Sequence, residues 1–143
     1  VKKITLFSDG SALGNPGPGG YGAILRFGDK EREISGGEEH TTNNRMELLG
    51  VIEGLKALKE PCEVDIVSDS SYVVKGINEW LRDWIKRDFK KVKNPDLWKE
   101  YIEASKVHKI NAIWVRGHDG HIENERCDVL AKSEAQKMKE IIK

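Results

Sequence analysis

The chain has 143 residues, enough for one compact domain with a real core, and its 24 Lys and Arg balance its 24 Asp and Glu, so net charge alone gives no sign of a polyanionic partner. It has no apolar run long enough to span a bilayer, no secretory signal at the N-terminus, and only two cysteines, Cys62 and Cys127. A membrane role and a disulfide framework are therefore not expected, and a cytoplasmic, reduced protein is.

The first elements read as strands over Lys3–Ser8, Tyr21–Phe27 and Lys30–Ser35. "GDK" is a tight turn between the second and third, which predicts an antiparallel meander. Between the first two lies a glycine-dense stretch in which Gly17, Gly19 and Gly22 match the spacing of a dinucleotide loop. That loop needs a helix directly after it, whereas "YGAILRF" is strand-like. Pro16 and Pro18 also remove two amide donors. The stretch reads as a proline-stiffened hairpin turn, which leaves Asp9 at its head unexplained.

A helix is expected from Asn43 to Leu58, because Leu48, Val51, Ile52, Leu55 and Leu58 recur at helical spacing. Thr41, Thr42 and Asn43 offer N-cap oxygens, and Pro61 ends the segment. "CEVDIVS" is the fourth strand. A helical stretch from Ser71 to Arg87 is expected to break near Asn78, followed by the loop "KKVKN". Pro95 opens a helix to Val107, "INAIWV" is the fifth strand, and after "RGHDGH" a last helix runs from Glu123 to Ile142. The order βββαβααβα predicts an α/β layer fold around a mixed sheet.

Four acids stand out against this frame. Asp9 and Asp69 each end a strand, and they become neighbours if the first and fourth strands are parallel. Glu47 is expected in the first turn of its helix, on the edge of the apolar stripe, and Asp128 sits early in the last helix beside Cys127. Carboxylates at core edges are costly unless paired or metal-bound. Hard divalent cations such as magnesium relieve their repulsion, and two cations can clamp a phosphoryl displacement. Each acid also has an ordinary explanation: a turn at Asp9, a cap at Asp69, a favourable helix N-terminus for Glu47, a solvated position for Asp128. His118 and His121 have a possible metal spacing, but only Cys127 could add to a zinc set.

"DGSALGNPGPGGYGAIL", "TTNNRMEL", "SDSSYV" and "GHDGHIENERCDVLA" together resemble bacterial type 1 ribonuclease H, in order and over nearly the whole chain. The resemblance implies a single ribonuclease H domain over residues 1–143, with a five-stranded mixed sheet ordered 3-2-1-4-5 flanked by helices. It implies endonucleolytic hydrolysis of the RNA strand of RNA–DNA hybrids by a two-metal-ion mechanism, leaving 3′-hydroxyl and 5′-phosphate ends. Mg2+ is the implied cofactor, with Mn2+ as a substitute, and the protein is expected to be a monomer. The family's metal-binding acids carry over to Asp9, Glu47, Asp69 and Asp128. His118 matches a mobile-loop histidine that helps proton transfer or product release, and Glu125 matches a carboxylate near the metals.

The same resemblance implies substrate contacts. Asn15, Asn43 and Asn44 match residues near the hybrid, and Thr42 matches a contact to a DNA phosphate. Ser71 stands where a glutamine often contacts the minor groove, and Ala12 where a cysteine also occurs. The segment Glu79–Asn94 interleaves Trp80 and Trp84 with Lys86, Arg87, Lys90 and Lys91. Alone it reads as solvated charge over core aromatics; it matches the family's basic protrusion, which grips the DNA strand, with Ile85 where a basic residue is common.

Overall fold

The computed structural model describes residues 1–116 and 122–141; residues 117–121, with His118 and His121, lie outside them, as do residues 142 and 143. Strands β1 (Lys2–Ala12), β2 (Gly17–Phe27) and β3 (Lys30–Thr41) form the expected antiparallel meander. Strand β4 (Cys62–Ser68) pairs parallel with β1, from Lys2 opposite Cys62 to Phe7 opposite Val67. Strand β5 (Lys109–Trp114) pairs parallel with β4. The sheet order is β3-β2-β1-β4-β5, as the resemblance to type 1 ribonuclease H implied.

All three meander strands are longer than their sequence signals, and the glycines are the reason. Gly36 and Gly37 read as the end of a strand, since glycine is depleted there, yet β3 runs through them. Gly20 lies in β2, and a Cβ there would collide with the backbone of Ala131 and lie 2.6 Å from the backbone N of Ala135. Bare backbone lets the last helix lie directly on the sheet. Part of the supposed turn is thus a packing surface, and the remaining loop is closed by Leu13 N–H donating to Pro18 O at 2.7 Å.

Helix α1 (Asn43–Lys56) covers one face of the sheet. Its Leu48, Val51, Ile52 and Leu55 pack with Leu6, Val64 and Ile66 in the main core, all nearly inaccessible to water. The alternate residues Phe7, Ile24 and Val67 point to the other face and pack with Cys127 of helix α5 (Ile122–Ile141). The region expected to break near Asn78 is helix α2 (Ser71–Lys75), a π-helical turn (Gly76–Trp80) and helix α3 (Leu81–Lys86). Widening occurs where Gly76 passes the buried Trp98 ring and Asn78 Nδ2 donates to Ala112 O of β5 at 3.1 Å. Helix α4 (Pro95–Ser105) supplies Trp98, whose ring meets Tyr72, Trp84 and Tyr101 edge-on at centroid distances of 5.8, 5.1 and 5.8 Å. No helix among the described residues is long and apolar enough to cross a membrane.

Cys62 begins β4 and Cys127 packs at the far end against Phe7 and Val67; both are buried and free. A strand spans roughly 17–20 Å, whereas bridged Cα atoms lie within about 7 Å. Thiol titration of the unreduced protein should therefore give two reactive groups per chain after unfolding and slow reaction before it. Finding none after unfolding, in a monomeric chain, would contradict this placement.

Candidate active site

The β1–β4 ladder ends at Phe7 and Val67, and two residues further on stand Asp9 and Asp69. Parallel pairing brings both to the same end of the sheet. Glu47 reaches them from α1, which Gly10 admits at close range: a Cβ at Gly10 would collide with Glu47 N and lie 2.8 Å from Met46 Cβ. Asn43 opens α1, so Glu47 falls just past the first turn instead of within it. The helix N-terminus then explains less of its presence than the sequence suggested.

Asp9, Glu47 and Asp69 each offer an oxygen within 4.8 Å of the others. Asp9 is only 8% exposed, and Oδ1 accepts the Gly10 N–H at 2.9 Å. Burial, followed by the charge of Asp69, raises its pKa to about 7. Glu47 is pushed well above the usual carboxylate range by burial and then by Asp9 and Asp69. Its Oε2 is buried and has no hydrogen-bond partner among the described residues. Among the described residues no salt bridge reaches Asp9 or Glu47. Asp128 meets the cluster at Asp9 and adds to the rise there, while its Oδ2 pairs with Lys132 Nζ at 3.0 Å. Oxygen donors, crowding and an orphaned buried carboxylate oxygen fit a hard divalent cation.

The asparagine cluster sits beside the acids, and its members hold one another. Asn15 Oδ1 accepts the Asn43 N–H at 3.0 Å, and Asn43 Oδ1 accepts the Ala12 N–H at 2.7 Å. Thr42 Oγ1 caps α1 by accepting the Arg45 N–H at 3.2 Å. Asn15, Asn43 and Asn44 are all solvent-exposed. Ser71 is exposed at the start of α2 and lines a groove of about 370 Å³ with Val74, Lys75, Glu79 and Trp114.

Lys86, Arg87, Lys90 and Lys91 are exposed and line an open depression of about 550 Å³. Asp88, Phe89, Lys91 and Asn94 hold left-handed φ of 52°, 59°, 61° and 57°, so the loop after α3 coils tightly without a glycine. Phe89 packs against the main core. Trp80 keeps an exposed face, but Trp84 packs between Trp80 and Trp98. Trp84 anchors the arm. Glu125 is exposed and lines a groove with Glu33, Arg126 and Val129; it is not among the three carboxylates whose oxygens converge within 4.8 Å. His118 lies outside the described residues.

Two sets of supporting residues were not visible in the sequence. Arg45 forms a bidentate pair with Asp96 at 3.1 and 2.9 Å and reaches Asn94 Oδ1 at 3.2 Å, tying the asparagine cluster to the basic arm. Arg26 bonds Glu31 and Glu123 at 2.8 and 2.7 Å, and Arg126 bonds Glu31 and Glu33, pinning the start of α5 to β2 and β3. Apart from Arg26–Glu31, five residues apart across the β2–β3 turn, these pairs join residues dozens of positions apart, so no local spacing signals them.

A 3-2-1-4-5 mixed sheet with converging acids at the β1 and β4 ends defines the ribonuclease H-like class. A family model described as RNase H matches residues 1–136. The chain is 71% identical over 138 residues to a ribonuclease H of Sulfurovum sp. (strain NBC37-1), covering 96% of this chain and 94% of that one. It is 64% identical over 137 residues to a ribonuclease HI of Helicobacter pylori (strain ATCC 700392 / 26695), covering 96% of each. LC9-RNase H1, a type 1 RNase H with the type 2 active-site motif, superimposes with a TM-score of 0.88 at 33% identity, covering 96% of this chain and 74% of that one. The chain belongs to the ribonuclease H family, among the bacterial type 1 enzymes, which are endoribonucleases.

The raised pKa of Asp9 makes a stability prediction for the metal-free protein. A carboxyl at about 7 folded and 3.8 unfolded favours the folded state fully below pH 3.8 and loses that contribution as pH rises through 7. In chelator, Asp9→Asn should melt several degrees above the parent at pH 8 and show little difference near pH 4. A difference independent of pH would contradict the assignment.

Proposed function

We propose that the protein hydrolyses the RNA strand of RNA–DNA hybrids endonucleolytically, leaving 3′-hydroxyl and 5′-phosphate ends. The observation that carries this reading is the convergence of Asp9, Glu47 and Asp69 within 4.8 Å, with Glu47 Oε2 left without a partner among the described residues. These three, with Asp128, are the residues that would hold two Mg2+ ions, Mn2+ being a substitute. When bound, such a pair supplies Lewis-acid stabilisation of the attacking and leaving oxygens of a phosphodiester. The chain's own share is orientation: α1 and the β1–β4 ladder fix the carboxylates before substrate arrives.

Asn15, Asn43 and Asn44 lie exposed beside the acids, where side-chain amides can engage ribose hydroxyls and base edges. Thr42 is assigned to a DNA phosphate and Ser71 to the minor groove, at shorter reach than a glutamine. Lys86, Arg87, Lys90 and Lys91 on the arm, with the exposed face of Trp80, take the DNA backbone, while Trp84 supports them from below. His118 is assigned to proton transfer or product release, and Glu125 to an accessory position at the start of α5. The enzyme acts in this reading as a cytoplasmic monomer of one domain.

A cleavage assay on hybrid, duplex RNA and duplex DNA, with and without Mg2+, should show cutting of the hybrid's RNA strand alone and only with metal. Asp9→Asn should abolish it in a folded protein; near-normal turnover would refute the metal site. His118→Ala should retain activity reduced about 100- to 10,000-fold, read in single- and multiple-turnover experiments. Unchanged rates in both would remove the histidine from the reaction.

A further inference from the structure

Asp69 lies between the end of β4 and Ser70, the N-cap of α2. Each neighbour is fixed by its own bonds. Ser68 O accepts the Val115 N–H at 3.0 Å, and Ser68 Oγ accepts the Ser70 N–H at 3.0 Å. Ser70 Oγ accepts the Val73 N–H at 3.2 Å and Ser70 O the Val74 N–H at 3.1 Å. The β4–β5 ladder has its last pair at Ser68 and Trp114, so the carbonyl of Asp69 falls beyond the reach of the strand ladder. The Trp114 indole Nε1–H donates to that carbonyl at 3.1 Å.

Trp114 is otherwise an unexpected residue for its position. It ends an edge strand, leaves 51% of its surface exposed and is not part of either apolar cluster. A half-exposed tryptophan contributes little burial there. Its distinguishing chemistry is a single rigid donor, and that donor is spent on the backbone of an acid in the cluster.

We propose that Trp114 is a positioning residue for Asp69: its indole N–H sets the peptide plane from which the Asp69 carboxylate enters the acidic cluster. The inference rests on the reading of Asp69 as a metal ligand. Partners one shell out from a metal govern how well its ligands are aimed, and their loss weakens metal binding without touching the ion.

The test is Mn2+ binding by electron paramagnetic resonance in the absence of nucleic acid, on wild type, Trp114→Phe and Asp69→Asn. Phenylalanine keeps an aromatic ring and removes the donor. Should Trp114→Phe fail to fold, a benzothienyl analogue placed at position 114 replaces the N–H with sulfur at nearly constant shape. Mn2+ affinity is expected to fall about 2- to 10-fold on loss of this hydrogen bond. At sub-saturating Mg2+, kcat should fall while KM for hybrid stays unchanged, and excess Mg2+ should restore it. Unchanged Mn2+ affinity would overturn the proposal, and so would a rise in KM alone, which would make the ring a substrate contact. If Asp69→Asn binds Mn2+ like wild type, the metal reading of Asp69 fails as well. If only Trp114→Phe does, that reading stands and the positioning role falls.

Discussion

The parallel ladder between β1 and β4 sets Asp9 beside Asp69, and Gly10 lets α1 lay Glu47 across both. The result is a mutual repulsion of carboxylates at one end of the sheet. Burial lifts Asp9 and Glu47 out of the ordinary carboxylate range, and the neighbouring charges lift them further. In a medium of low polarisability such crowding is tolerated only where function requires it. The surrounding architecture can be read as the means of holding these acids in place despite that cost.

Two apolar layers do most of this holding. On one face the aliphatic stripe of α1 meets Leu6, Val64 and Ile66, and on the other Phe7, Ile24 and Val67 meet Cys127. Successive residues of β1 and β4 therefore serve opposite cores, and neither strand can slip by one residue without exposing both. Polar ties then fix what packing leaves adjustable. Arg45 links the start of α1 to Asn94 and Asp96, and the Arg26 and Arg126 network holds the first turns of α5, from which Asp128 approaches. Single exposed ion pairs contribute little, but Glu31 accepts from both arginines, so this is a network across three elements.

The chain announces its strands and helices well where a period is clean. Leu48, Val51, Ile52 and Leu55 predicted α1, and "CEVDIVS" predicted β4 to the residue. It announces them poorly where glycine has two meanings. Gly36 and Gly37 looked like a strand end because glycine lacks a side chain, and for that same reason they let Met138 and Tyr21 approach inside a continuous strand. Asp9, Glu47 and Asp69 were legible as a cluster once parallel pairing was assumed, since strand ends and a helix edge converge in few ways. The packing of Trp84 on Trp80 and Trp98 was not legible, because interleaved charge and aromatics look alike whether the rings face outward or pack inward. The anchoring pairs of Arg45 and Arg126 depend on tertiary proximity, to which no local pattern corresponds.

The central claim is that a divalent cation relieves the repulsion among these acids. Calorimetric titration of the wild-type protein with Mg2+ at pH 7, in two buffers of different ionisation enthalpy, tests it most directly. With Asp9 titrating at about 7, binding must release protons, so the observed heat should differ between buffers at pH 7 and converge near pH 9. Binding with identical heats in both buffers at pH 7, or no binding at all, would contradict the account.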